Sequence, residues 1–231
     1  MSEQITKGEY ERGLGDKIAA ISQGHLACAL LLDTSGSMAG VPIKKLNEGL
    51  RLFKENVSKD PMARDRVDVA LVTFNSTVQV LQDFVPVTRM DTPMLTPGGQ
   101  TMMAEGVLKA LELVQTRTRL YQGMGTPYHN PWIFMITDGA SMSDEAMMQT
   151  AVARVTEAEN RENGRITFWA IGVDGYDSTE LYRLTDMVVE LENVDFCTIF
   201  DWLSTSMTQI ANSRVGTVVE QDKLPENARR V

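Results

Sequence analysis

The succession of patterns along this chain predicts an α/β fold: a doubly wound, mostly parallel six-stranded sheet with one antiparallel edge strand and helices on both faces. Three observations carry that expectation. Short apolar runs of strand length alternate with longer stretches whose apolar residues recur every three or four positions, as buried parallel strands joined by helical crossovers require. Two of the apolar runs, ending at Asp33 and at Asp138, stop abruptly in a carboxylate. One pair of runs is separated only by Asn75-Ser76, which is too short for a crossover and makes a hairpin.

Residues 1–24 are polar and glycine-bearing, with a faint helical stretch at 17–21, and read as an N-terminal extension covering 1–25. Residues 26–33 form the first buried strand. Pro42 stands where a helix begins, because its missing N–H costs nothing in the first turn. Ile43, Leu46, Leu50, Phe53 and Val57 then recur at helical offsets and give that helix one apolar stripe. Its amino end follows Ser37 closely, so its partial positive charge favours an anion there. Residues 67–74 and 77–81 are the hairpin strands. The stretch 83–99, with Pro86, Pro93 and Pro97, reads as an irregular functional loop.

From Thr101 the spacing turns helical, with Ala104, Val107, Leu108, Leu111 and Val114 on one face, and 115–131 reads as a polar, glycine-rich connection. A strand from Trp132 leads to Asp138. Ser143-Asp144-Glu145 is a helix cap with acids in the first turn, opening a helix to about residue 163 that Gly164 closes. A strand at 166–173, a short helix at 179–184 and a short strand at 188–191 follow. Asp195 caps a last helix with the stripe Phe196, Ile199, Phe200, Leu203, Met207 and Ile210. The domain therefore spans 26–214, and 215–231 is a polar tail.

Composition narrows the function. The chain has 231 residues, 43% hydrophobic and 23% charged, which suffices for one sizeable domain. A net charge of -9 and the lack of a dense Lys/Arg block argue against nucleic acid as a partner. The apolar runs fall short of the roughly 20 residues a membrane helix needs, and the first residues lack the basic and apolar regions of a signal peptide, so the expectation is a soluble cytoplasmic protein with no membrane partner. Cys28 and Cys197 lie in apolar patterns and read as small buried hydrophobes. His25 and His129 have no Cys or His at zinc spacing and read as surface or structural residues. Gly123-Met124-Gly125 lacks the Gly-Lys-Ser/Thr of a phosphate loop.

The chemistry concentrates in three segments. In Asp33-Thr34-Ser35-Gly36-Ser37 a carboxylate and two hydroxyls fall at every second position, and extended backbone can aim all three the same way. Pro97-Gly98-Gly99-Gln100-Thr101 presents a hydroxyl after a glycine turn. Thr137-Asp138-Gly139 ends the second apolar run. Neighbouring parallel strands would bring Asp33 and Asp138 together at their carboxyl ends, where open α/β sheets bind ligands. All these donors are oxygen, which hard divalent cations prefer.

In this order the three segments resemble the metal-ion-dependent adhesion site of the von Willebrand factor type A domain, a Rossmann-like fold, over roughly residues 26–214. The loop 125–139 is similar to the intracellular bacterial, TerY-like (tellurite-resistance) branch. The resemblance implies Ser35, Ser37 and Thr101 as direct metal ligands, with Asp33 and Asp138 acting directly or through water. It also implies a partner protein offering Glu or Asp to the metal, and kinase-like and phosphatase-like proteins of a stress-response system as partners. Two carboxylates are few for Ca2+, so the cofactor expected is Mg2+, with Mn2+ or Ca2+ as alternatives.

Met38, Gln100, Met102 and Ser141 follow the metal loops and read as a partner-binding rim. Met38, Met102, Met103 and Met142 fit an adaptable apolar rim and core filling about equally well. Three functions compete. The first, and preferred, is a non-enzymatic metal-dependent protein-binding module with no catalytic residue. A metal-dependent phosphohydrolase with Asp33 as nucleophile would need a second aspartate two positions on, where Ser35 stands. The third is a scaffold whose metal is purely structural and whose surface at 115–131 does the binding.

Overall fold

The computed structural model describes residues 24–160, 162, 165–173, 176–220 and 222–230. The expected helix at 17–21 and the closing Gly164 lie outside the described residues. Seven strands form one sheet in the order β3-β2-β1-β4-β5-β6-β7. These are β1 (Leu26–Asp33), β2 (Val67–Phe74), β3 (Val78–Pro86), β4 (Trp132–Thr137), β5 (Thr167–Val173), β6 (Val188–Leu191) and β7 (Ala228–Arg230). The helices are α1 (Val41–Lys59), α2 (Ala63–Arg66), α3 (Met103–Met124), α4 (Glu145–Glu159), α5 (Ser178–Leu184) and α6 (Phe196–Asn212).

β1 is the centre of the architecture. It pairs in parallel with β2 on one side and β4 on the other, and all eight of its residues are buried. Its alternate side chains feed two cores. Leu26, Cys28, Leu30 and Leu32 meet the stripes of α1 and α6, while Ala27, Ala29 and Leu31 meet α3, α4 and α5. A strand covered on both faces has no polar side to show, which is why its sequence reads as an unbroken apolar run. Burial pushes the Cys28 thiol far up, and both cysteines are free, Cys28 buried and Cys197 partly exposed.

The α/β class, the parallel centre and the helices on both faces agree with the sequence reading; four local features differ. The sheet has seven strands rather than six, because Ala228–Arg230 pairs antiparallel with β6 and gives the sheet a second antiparallel edge. Only Ala228 of β7 is buried, and Arg229 pairs with Glu190 at 2.7 Å, so no apolar pattern announces this strand.

β3 runs to Pro86, well into the expected loop. It is an edge strand, with only Phe84 buried, and tolerates proline at its end. α3 continues to Met124 through residues expected as a loop. Thr118 and Tyr121 extend the inward stripe of Val114, and Gly125, at φ 65°, ends the helix. Asp144 caps α4 as expected, accepting from the Met147 N–H at 2.8 Å, whereas Asp195 takes the Thr198 hydroxyl at 2.5 Å instead of a backbone N–H.

Candidate metal centre

The site sits at the carboxyl ends of β1 and β4. The last paired positions of these strands are Leu32 and Ile136, so Asp33 and Thr137 lie level one residue further on, with side chains on the same face. Thr137 Oγ1 accordingly donates to Asp33 Oδ2 at 2.6 Å. Asp33 Oδ1 accepts the Ser35 N–H at 2.7 Å, which closes the chain into a tight turn. Ser35 Oγ and Ser37 Oγ then lie 2.9 Å apart, and Ser37 Oγ donates to Asp138 Oδ1 at 2.7 Å. One chain of short contacts thus joins the first and third segments.

The glycine turn brings in the second. Gly98 N–H donates to Thr34 O at 2.9 Å and Gly36 N–H to Gly99 O at 3.0 Å, so the two loops are stitched through their backbones. Gly99 has φ 79°, and a Cβ there would meet Ser76 Oγ at 2.5 Å, so this turn requires glycine. Met142 N–H donates to Thr101 O at 2.8 Å and ties the third loop to the second. The Thr101 hydroxyl oxygen lies 3.4 Å, and that of Ser37 3.6 Å, from where a Cβ on Gly139 would stand. Asp33, Ser35, Ser37, Thr101 and Asp138 are therefore gathered in one place.

The electrostatics of this place are unbalanced. Asp33 is wholly buried and Asp138 is 8% exposed. Burial pushes the Asp33 carboxyl up; bonds from Thr137 and Ser35 oppose it, and the charge on Asp138 adds to it. Burial likewise raises Asp138 against the bond from Ser37. Among the described residues neither carboxylate has an ion-pair partner. Two buried, adjacent acids without a positive neighbour are costly, and a cation is the partner that would relieve them. Among the described residues no three His, Cys, Asp or Glu side chains converge. The donor set is thus two carboxylates and three hydroxyls, a hard oxygen set suited to Mg2+ or Mn2+.

The rim residues divide. Gln100 is exposed, Met102 and Ser141 are partly exposed, and the Ser141 N–H donates to Glu180 Oε2 at 2.8 Å. Met38 does not belong to a rim: it ends a single 3-10 turn, Gly36–Met38, and points into the core against α1 with no exposed surface. Met103 is buried as well, whereas Met142 is 58% exposed. Thr137 and Thr34 were not singled out by sequence reasoning. Thr137 was legible in principle, because it directly precedes Asp138 and stands level with Asp33 once the two strands are taken as neighbours.

His25 is not an isolated histidine. At the opposite end of the sheet its Nδ1 lies 3.1 Å from Asp68 Oδ2, an oxygen that also accepts from Arg117 at 2.9 Å and from the Tyr121 hydroxyl. His129 is buried, which pushes its pKa down, and its N–H donates to His25 O at 2.8 Å.

Comparison with known proteins gives the fold a family. The model of the von Willebrand factor type A domain matches residues 28–199. No curated protein matches the sequence. Among solved structures, the vWF domain of the type V pili tip protein Mfa5 from Porphyromonas gingivalis aligns with TM-score 0.61 at 15% identity, over 85% of this chain and 99% of that one. Pilus adhesin SpaC from Lactobacillus rhamnosus GG aligns with TM-score 0.64 at 10% identity, over 80% of this chain and 31% of that one. Proximal thread matrix protein 1 from the mussel byssus aligns with TM-score 0.57 at 16% identity, over 80% and 48%.

The chain thus spans about half of the mussel protein and under a third of SpaC, and at these identities the likeness is one of fold. No helix among the described residues is long and apolar enough to cross a membrane. With the family model matching most of its length and a doubly wound sheet carrying its oxygen-rich loops at the strand ends, the chain belongs to the von Willebrand factor type A domain family.

Proposed function

We propose that this domain is a metal-dependent protein-binding module in which Asp33, Ser35, Ser37, Thr101 and Asp138 hold Mg2+ or Mn2+ and a partner's Glu or Asp completes the coordination. Domains of this family generally serve protein interaction; the metal and the acidic partner are our reading. The observation that supports it most is the pair of buried carboxylates at adjacent strand ends, joined through the Ser35 and Ser37 hydroxyls and lacking any ion pair among the described residues.

When bound, the cation supplies the positive charge the site lacks and, with few protein carboxylates around it, favours an anionic ligand from outside. This chain's own residues do the positioning. Thr137 and the Ser35 N–H fix both oxygens of Asp33, an arrangement suited to a stationary ligand rather than to a nucleophile. The amino end of α1, which begins at Val41 just after the first loop, adds partial positive charge for an arriving carboxylate. The resemblance of loop 125–139 to the TerY-like branch leads us to read the partners as kinase-like and phosphatase-like proteins of a bacterial chemical-stress (tellurite-resistance) system, met in the cytoplasm.

Affinity capture from the native cell tests the bridge. With Mg2+ present a partner should be retained, and retention should fall away in EDTA and in Thr101→Ala. The partner should also lose binding when one of its own Glu or Asp residues is replaced. Equal retention with and without EDTA would overturn the reading and favour a scaffold with a structural metal.

A further inference from the structure

On the sheet face opposite α1 and α6, helices α3 and α4 leave a groove of about 420 Å³ between them. Leu108, Leu111, Gln115 and Arg119 line it from α3 at offsets of three, four and four, one stripe of that helix, and Arg154 faces them from α4. At 1.5 Å per residue this stripe is about 16 Å long. It begins more than one turn beyond the amino end of α3, where the helix meets the metal loops, and runs away from them.

The charge of the groove stands out in a chain of net charge -9. Arg119 and Arg154 are both exposed, and among the described residues neither takes part in an ion pair or a side-chain hydrogen bond. Glu112, the acid in the lining, is already held by Lys109 at 2.5 Å. The Gln115 Nε2 is shut off from water and, among the described residues, has no acceptor. The Thr150 hydroxyl is engaged by Ala146 O at 2.8 Å. The groove therefore offers two uncommitted guanidinium groups beside the partly exposed side chain of Leu108, with the buried Leu111 beneath.

We propose that this groove docks an acidic peptide segment of a partner protein, its carboxylates on Arg119 and Arg154 and an apolar side chain on the partly exposed Leu108. Guanidinium groups match carboxylates in bidentate geometry, and an arginine beside apolar surface is a common anchor of binding energy. A stripe three turns long suits several consecutive residues rather than a single small anion. The site uses none of the metal-centre residues, so it binds whether or not a cation is present.

The test is selection of a phage-displayed random peptide library on the full chain in EDTA, which removes any metal-bridged capture. Enriched peptides should carry at least two Asp or Glu residues together with Leu, Ile or Phe. Their affinity, measured by fluorescence polarisation, should fall at least about tenfold in R119E/R154E and less in R119Q/R154Q, and should be unchanged in D33A. Circular dichroism of the charge variants establishes that they are folded. The proposal is overturned if no peptide is enriched, if the enriched peptides lack acidic residues, or if R119E/R154E binds them as the native chain does.

Discussion

Replacing Asp68 with alanine is expected to cost about 3–5 kcal/mol of folding stability, the range for breaking a buried ion pair by removing one partner. In a domain of this size that lowers the Tm by on the order of 10 °C. Asp68 is 1% exposed at the start of β2, and one of its oxygens serves His25, Arg117 and Tyr121 together. Arg117 lies 4.9 Å from the Tyr121 ring centre and 5.8 Å from that of Phe84, so its charge would be left against aromatic surface with no counter-ion. Burial alone would raise the Asp68 carboxyl; the bonds from His25, Tyr121 and Arg117 and the charge on Arg117 hold it below its usual value.

A carboxyl lowered in the folded state contributes stability that is full above the unfolded value of about 3.9 and lost as pH falls through the folded one. The gap between native and Asp68→Ala proteins, measured by urea denaturation across pH, should therefore be full above that value and shrink in acid. A gap independent of pH would mean that the charge of Asp68 is not what the fold uses.

Asp33→Asn is expected to abolish stabilisation by Mg2+ while leaving the metal-free fold at least as stable as the native one. At a Mg2+ concentration one hundred times its Kd, the native chain should gain about 2.7 kcal/mol, and the variant nothing. The amide oxygen can still accept the Ser35 N–H, and the Thr137 hydroxyl can rotate to accept from the new amide group. What disappears is a buried negative charge beside Asp138, whose neighbourhood already disfavours ionisation. Thermal unfolding with Mg2+ and with EDTA measures both halves. A variant that responds to Mg2+ as the native chain does would remove Asp33 from the ligand set.

The central parallel strands were legible because burial on both faces leaves apolar runs nothing to alternate with, and the ends of β1 and β4 were legible because carboxylates interrupt those runs. From these followed the placing of Asp33 near Asp138: the register sets Thr137 level with Asp33, and the Ser37 hydroxyl takes up Asp138 one residue further on. The edges were less visible. β7 buries only Ala228, and β3 shows most of its side chains to solvent, so neither carries a strong pattern.

The second half of α3 looked like a loop because its outward residues, Thr116, Arg119 and Gln122, outnumber the inward Thr118 and Tyr121. Met38 shows a further limit. Adjacency to a loop of the proposed metal centre does not decide which way a side chain turns, and a single 3-10 turn sends this one inward. The His25, Asp68, Arg117 and Tyr121 cluster joins residues up to 96 positions apart in the sequence through one shared oxygen, and no local spacing reveals that.

Calorimetric titration of the metal-free chain with Mg2+ is the most direct measurement of the centre. The expected result is one ion per chain, with uptake lost in Asp33→Ala and in Asp138→Ala and weakened in Thr101→Ala. No binding by the native chain, or binding that survives both aspartate substitutions, would contradict a cation held between these two strand ends.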